Sequence, residues 1–186
     1  MAAHVRAGAR LPEGLRGDAE PARGMAAPAP GLDPHGALIG AAFGQLSHLA
    51  LRHLAGCAPA LRTTPWRMIL AEGLHELPRT PDLITRADDP ALRVIACSGA
   101  PRCREAHADT RGLAAALAPH VAAGARLHVS GCAKGCAHSG PASITLVGTG
   151  DGFDLVRDGS TRDRPVRRGL SGASLVKHPS ILVGAC

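Results

Sequence analysis

Two pairs of cysteines stand in an otherwise cysteine-poor chain: Cys97 and Cys103 in "CSGAPRC", and Cys132 and Cys136 in "CAKGC". Each pair follows a short β-prone run, at residues 93–96 and 127–129, so two strand ends aimed at one place would gather four thiolates. The residues around them are small. Ser98, Gly99 and Ala100, then Gly131, Ala133 and Gly135, let the backbone come close and turn its amides toward a bound centre. Soft thiolate ligands suit a [4Fe–4S] cluster or a four-cysteine zinc site, and buried inert thiols are the third reading. The C-x5-C spacer is wider than zinc sites usually use, which favours the cluster while leaving the other two open. Cys57 and Cys186 lie outside the pattern and read as structural or incidental.

The fold must place these two strand ends with little aromatic help. Hydrophobic residues make up 45% of the 186, but the aromatics are only Phe43, Trp66 and Phe153. The core is therefore built from Ala, Leu, Val and Ile, each burying less area than an aromatic ring. Residues 1–31 are rich in Ala, Gly, Pro and Arg and read as a disordered leader. Apolar residues at helical spacing predict an amphipathic helix over 41–55, with Gly56 able to end it. "LRTTPWRMILAEG" predicts a strand that Pro65 confines to an edge or a bulge. Residues 80–93 carry turn signals and room for a short helical turn. Asp109 or Thr110 can cap a helix running to about Val121, and Gly124 stops it. Residues 144–147 and 153–156 predict a hairpin joined by a Gly/Asp turn. The whole is α+β. Residues 160–186 have no convincing helical face and are expected to be an irregular tail.

Charge and segment patterns narrow the function classes. The chain has 21 Lys+Arg against 15 Asp+Glu, a net charge of +6, which favours anionic partners. Scattered arginines without interleaved aromatics do not make a nucleic-acid reader. No apolar run approaches a membrane span, and the N-terminus has no apolar core of a secretory signal. A cytoplasmic location is the expectation, and there closely spaced cysteines are metal ligands or redox groups sooner than disulfides.

The order C-x5-C, then C-x3-C resembles the cluster signature of the sirohaem-type nitrite and sulfite reductase superfamily. "CSGAPRC", "LHVSGCAKGCAHSGPASITLVG" and "GFDLVRDG" are similar to the precorrin-3B synthase branch, and Ala133-Lys134 replaces the Pro-Asn of the sulfite reductases. The similarity covers residues 94–159 and, more loosely, 33–80, where "RTTPWR" resembles a strand of a ferredoxin-like half-domain.

The resemblance implies a ferredoxin-like half-domain over 32–80 and a [4Fe–4S]-binding α/β domain over 81–159. It implies that Cys97, Cys103, Cys132 and Cys136 hold the cluster, beside a sirohaem or a mononuclear iron. The implied reaction is O2-dependent hydroxylation and lactone formation on precorrin-3A, in aerobic cobalamin biosynthesis, with electrons from an external donor. A sulfite or nitrite reductase-like component and a non-catalytic metal-binding module or inactive remnant are the alternatives. Arg62 and Arg67 are candidates for pairing with carboxylates of an anionic tetrapyrrole, and Lys134 for offsetting cluster charge. His138 could donate a hydrogen bond or ligate iron, against a surface role. The superfamily is pseudo-symmetric. This chain resembles the C-terminal half alone, so a truncated form is expected, with a homodimer or a separate N-terminal half as partner.

Overall fold

The computed structural model describes residues 26–80 and 82–183. Most of the expected leader therefore lies outside the described residues. The first sheet holds β1 (Gly31–Asp33), β2 (Gly36–Ala41), β3 (Ala60–Thr63) and β4 (Met68–Glu72) in the order β1-β2-β4-β3, all antiparallel. A short β5 (Leu83–Ile84) adds to the far end of β2. One helix, α1 (His48–Cys57), covers a face of this sheet, burying Ala50 and Leu54 against Ala37, Ile39, Ala71 and Leu83.

Helix α1 starts later than the spacing predicts. Ser47 is its N-cap, its Oγ accepting from the Ala50 N–H at 3.1 Å, while residues 42–44 form a separate 3-10 turn with Phe43 at φ 55°. The helix also runs through Gly56 to Cys57. "LRTTPWRMILAEG" is a hairpin, not one strand. Pro65 falls in its turn, where Thr64 Oγ1 donates to the Met68 carbonyl at 2.9 Å and Arg67 takes φ 58° to reverse the chain.

The second sheet is ordered β10 (Arg167–Leu170), β9 (Gly152–Gly159), β8 (Ala142–Thr149), β7 (Leu127–Ser130) and β6 (Val94–Ala96). Strands β6, β7 and β8 are parallel, and β9 returns antiparallel as the expected hairpin partner of β8. Between β6 and β7 runs α2 (Thr110–Leu117). Asp109 caps it, its Oδ1 accepting from the amides of Arg111 and Gly112. Leu113, Ala114 and Leu117 of α2 pack on Val94, Leu127, Val129 and Leu146, a core of aliphatic residues around the phenyl ring of Phe153.

Of the stretch expected to be irregular, residues 160–183 are described, and they form regular elements. It holds β10, paired with β9, then α3 (Gly172–Lys177) and α4 (Ser180–Val183). Leu170, Leu175 and Leu182 are buried in the second core. Arg157 on β9 donates to the carbonyls of Ile181, at 2.8 Å, and Leu182. Helices of six and four residues are too short to display a periodic face, and tertiary packing holds them instead. Among the described residues no helix is long and apolar enough to cross a membrane.

Candidate functional site

Both cysteine pairs leave the carboxyl ends of neighbouring parallel strands, the place where open α/β sheets present their ligand crevices. Cys97 follows β6 directly, its N–H donating to the Val129 carbonyl of β7 at 3.3 Å. Its sulfur accepts from the Gly131 N–H at 3.2 Å, so an amide of the second loop already serves a thiol of the first. Thr110, fully buried at the start of α2, donates its Oγ1 to the Cys97 carbonyl at 2.8 Å.

Further contacts join the two loops. The His107 amide donates to the Gly131 carbonyl at 2.9 Å, and Lys134 Nζ meets Glu105 Oε2 at 3.1 Å. Inside each loop one glycine has a left-handed φ that disfavours a side chain: Gly99 at 64°, and Gly135 at 63°. A Cβ on Gly99 would lie 2.5 Å from Thr110 Oγ1, and one on Gly135 2.8 Å from Thr161 Oγ1. Thr161 donates that hydroxyl to the Ala133 carbonyl at 2.9 Å, fixing the loop between its two cysteines.

Cys97, Cys103 and Cys132 are half-buried, Cys136 is exposed, and all four are free thiols. The loops meet, yet among the described residues no group of three or more Cys, His, Asp or Glu side chains converges closely enough to hold a metal ion. The donor set nevertheless fits an iron–sulfur centre: four soft thiols on small-residue loops, with a backbone amide aimed at one sulfur.

The candidate cations separate. Arg62 is exposed on β3 and committed to Glu72 at 2.6 Å, and nothing brings it to the cysteines. Lys134 projects into solvent and pairs with Glu105, which raises its pKa; the Cys132 and Cys136 sulfurs add to the shift. Arg67 does reach the site, donating Nη2 to the Ala137 carbonyl at 2.9 Å. With Phe43, Cys97, Cys136 and Arg111 it lines a pocket of about 350 Å³. A second cavity, about 340 Å³, shares Phe43 and Arg67 and continues between the sheets along Trp66, Met68, Ile84 and Val94. Among the described residues Phe43 and Arg67 are two of the three non-glycine positions at positive φ, backbone strain of the kind that gathers at functional sites.

Three further residues stand at or beside the site, and two of them escape the sequence patterns. Arg111 carries no signal beyond its place in the first turn of α2, and Thr161 lies in the stretch read as tail. His128 did leave one: a histidine alternating with Leu127 and Val129 inside a parallel strand. It is 0% exposed, and neither ring nitrogen has a partner among the described residues. Burial, then the nearby His138 and Arg67, lower its pKa to about 4, so the ring is neutral near pH 7. The His138 ring stands edge-on to it at 5.6 Å, its Nε2 3.1 Å from the Pro141 carbonyl. Cys57 lies apart on α1, exposed and 3.9 Å from His53 Nε2, and Cys186 is outside the described residues.

Two sheets, the second carrying the pair of cysteine loops at its strand ends, make an α+β fold. This fold is similar to that of the Mycobacterium tuberculosis NirA protein, with a TM-score of 0.50 and 19% identity, covering 83% of this chain and 38% of that one. The chain is similar to a Sinorhizobium sp protein named precorrin-3B synthase, with 32% identity over 144 residues, across 68% of this chain and 31% of the relative. It thus spans about a third of that relative's length. No family model matches the chain.

Proposed function

We propose that this chain is the cysteine-bearing part of an iron–sulfur oxidoreductase related to precorrin-3B synthase, acting on an anionic tetrapyrrole. One observation carries this reading: the C-x5-C and C-x3-C loops leave adjacent parallel strands and open on a pocket that the first sheet closes with Arg67. Cys97, Cys103, Cys132 and Cys136 would hold a [4Fe–4S] cluster, which when bound supplies one-electron transfer to an oxygen-activating centre such as a mononuclear iron or sirohaem.

The chain's own residues prepare the site. The Gly131 amide stabilises negative charge on the Cys97 sulfur, and Lys134 sets a cation between the second pair. Arg67 offers a planar fork of donors suited to a tetrapyrrole carboxylate. Phe43, Trp66 and Met68 give the adjoining cavity an apolar wall for the body of such a ligand. Hydroxylation of precorrin-3A with lactone formation, fed by an external electron donor, is the activity proposed for the protein in which these residues work.

Anaerobic reconstitution tests the reading. Iron and sulfide are expected at about four each per chain, with a brown chromophore. Serine at Cys132 or Cys136 should abolish the colour, and serine at Cys57 should leave it. Zinc bound without sulfide would overturn the assignment in favour of a metal-binding module.

A further inference from the structure

Arg111, on the helix that packs against the second sheet, and Gln45, at the end of the turn that follows β2 of the first, meet beside the cysteine loops. Arg111 sits in the first turn of α2, its amide held by Asp109 Oδ1 at 3.1 Å, and its Nη1 donates to Gln45 Oε1 from the 3-10 turn after β2. Arg102 Nη1 reaches the same Gln45 oxygen at 3.4 Å. The third cation, Arg67, lines with Arg111 the same pocket of about 350 Å³, together with Cys97 and Cys136.

What holds these arginines is neutral. The ion pairs among the described residues engage Arg62, Arg86, Lys134 and Arg168, and none engages Arg67, Arg102 or Arg111. The acids nearest in sequence are committed elsewhere, Asp109 to the amides of α2, Glu105 to Lys134 and Glu72 to Arg62. Arg67 gives one nitrogen to the Ala137 carbonyl, a neutral acceptor. The Nε of Arg111 is buried with no partner among the described residues, an orphaned donor that a ligand's oxygen could satisfy. A carboxylate at Gln45 would fix Arg111 equally well and cancel its charge. An amide fixes the guanidinium and leaves the charge for a ligand.

We propose that Arg67 and Arg111 are a two-point clamp for one carboxylate of the tetrapyrrole, one arm on each sheet, and that Gln45 holds the clamp charged. This rests on the functional reading above for its ligand, while the clamp itself requires only an oxyanion. It also makes the pocket a product of sheet docking, since neither arm closes it alone.

The test uses the full chain without metal, titrated at low ionic strength with coproporphyrin III, a tetracarboxylate porphyrin, and separately with inorganic phosphate. The wild type should bind the porphyrin. Gln45→Glu, which alters charge and keeps shape, should weaken binding at least tenfold. Arg111→Gln should do the same, and Arg111→Lys should recover part of the loss. Arg126→Gln, outside this pocket, should bind as the wild type does, and circular dichroism of each variant reads folding independently. Wild-type affinity in Gln45→Glu, or an equal loss in Arg126→Gln, overturns the clamp. Phosphate binding with the same Gln45→Glu loss but no porphyrin binding keeps the clamp and overturns the tetrapyrrole reading. Binding of neither probe overturns the clamp, while iron and sulfide analysis still judges the cluster.

Discussion

His128 joins a packing cost to a pH signature at one residue. The imidazole is fully buried, with no partner among the described residues, and its pKa of about 4 lies below the 6.5 of the unfolded chain. Between those values the unfolded state binds more protons, so stability rises with pH across the window and is lost as pH falls from 6.5 toward 4. At 1.36 kcal/mol per pKa unit the loss is about 3 kcal/mol. Urea titrations at pH 7 and pH 4.5 should show His128→Leu losing less stability on acidification than the wild type. A pH dependence unchanged by the substitution would refute this origin. The same scale shows what residue patterns can and cannot reveal. The cysteines were legible because their spacing is itself the signal. Arg62 and Arg67, five positions apart in one motif, looked alike, and only the Pro65 turn and the Glu72 carboxylate separated the site residue from the surface one.

Among the elements, α2 links stability to the site. Asp109 accepts from two otherwise unpaired amides at its start, so Asp109→Ala should lower stability by about 1 kcal/mol, within 0.5–2, measured as a shifted urea midpoint at constant slope. The sequence narrowed the cap to Asp109 or Thr110, because either residue before an apolar helical period can take that local role, and the structure chooses Asp109. The start of α1 was harder. Its apolar spacing extends back to Phe43, but Phe43 takes a left-handed φ and Ser47 caps the helix, so the helical turns begin only at His48. Local periodicity does not encode that break. It follows from docking the 3-10 turn, with Phe43 packed on the second core and Gln45 held by Arg111.

The whole molecule depends on its C-terminal segment. Leu182 is fully buried in the second core, and Arg157 ties the last turn back to β9. Leu182→Ala should cost about 2–5 kcal/mol, visible in urea denaturation; a change below 1 kcal/mol would mean the segment adds little to that core. With a core of aliphatics and one buried phenyl ring, each such contact is a large share of the total. By itself the sequence determined the α+β class, the strands that deliver the cysteines and, to within one residue, the start of α2, because spacing, alternation and capping act over a few residues. Only the tertiary structure decided that the last stretch packs as strand and helix, that Arg67 and not Arg62 reaches the pocket, and that Gln45 meets Arg111. Those outcomes depend on residues 10 to 70 positions apart, as in Arg62 with Glu72, Gln45 with Arg111 and Arg67 with Ala137, where only packing of the whole chain chooses the partner.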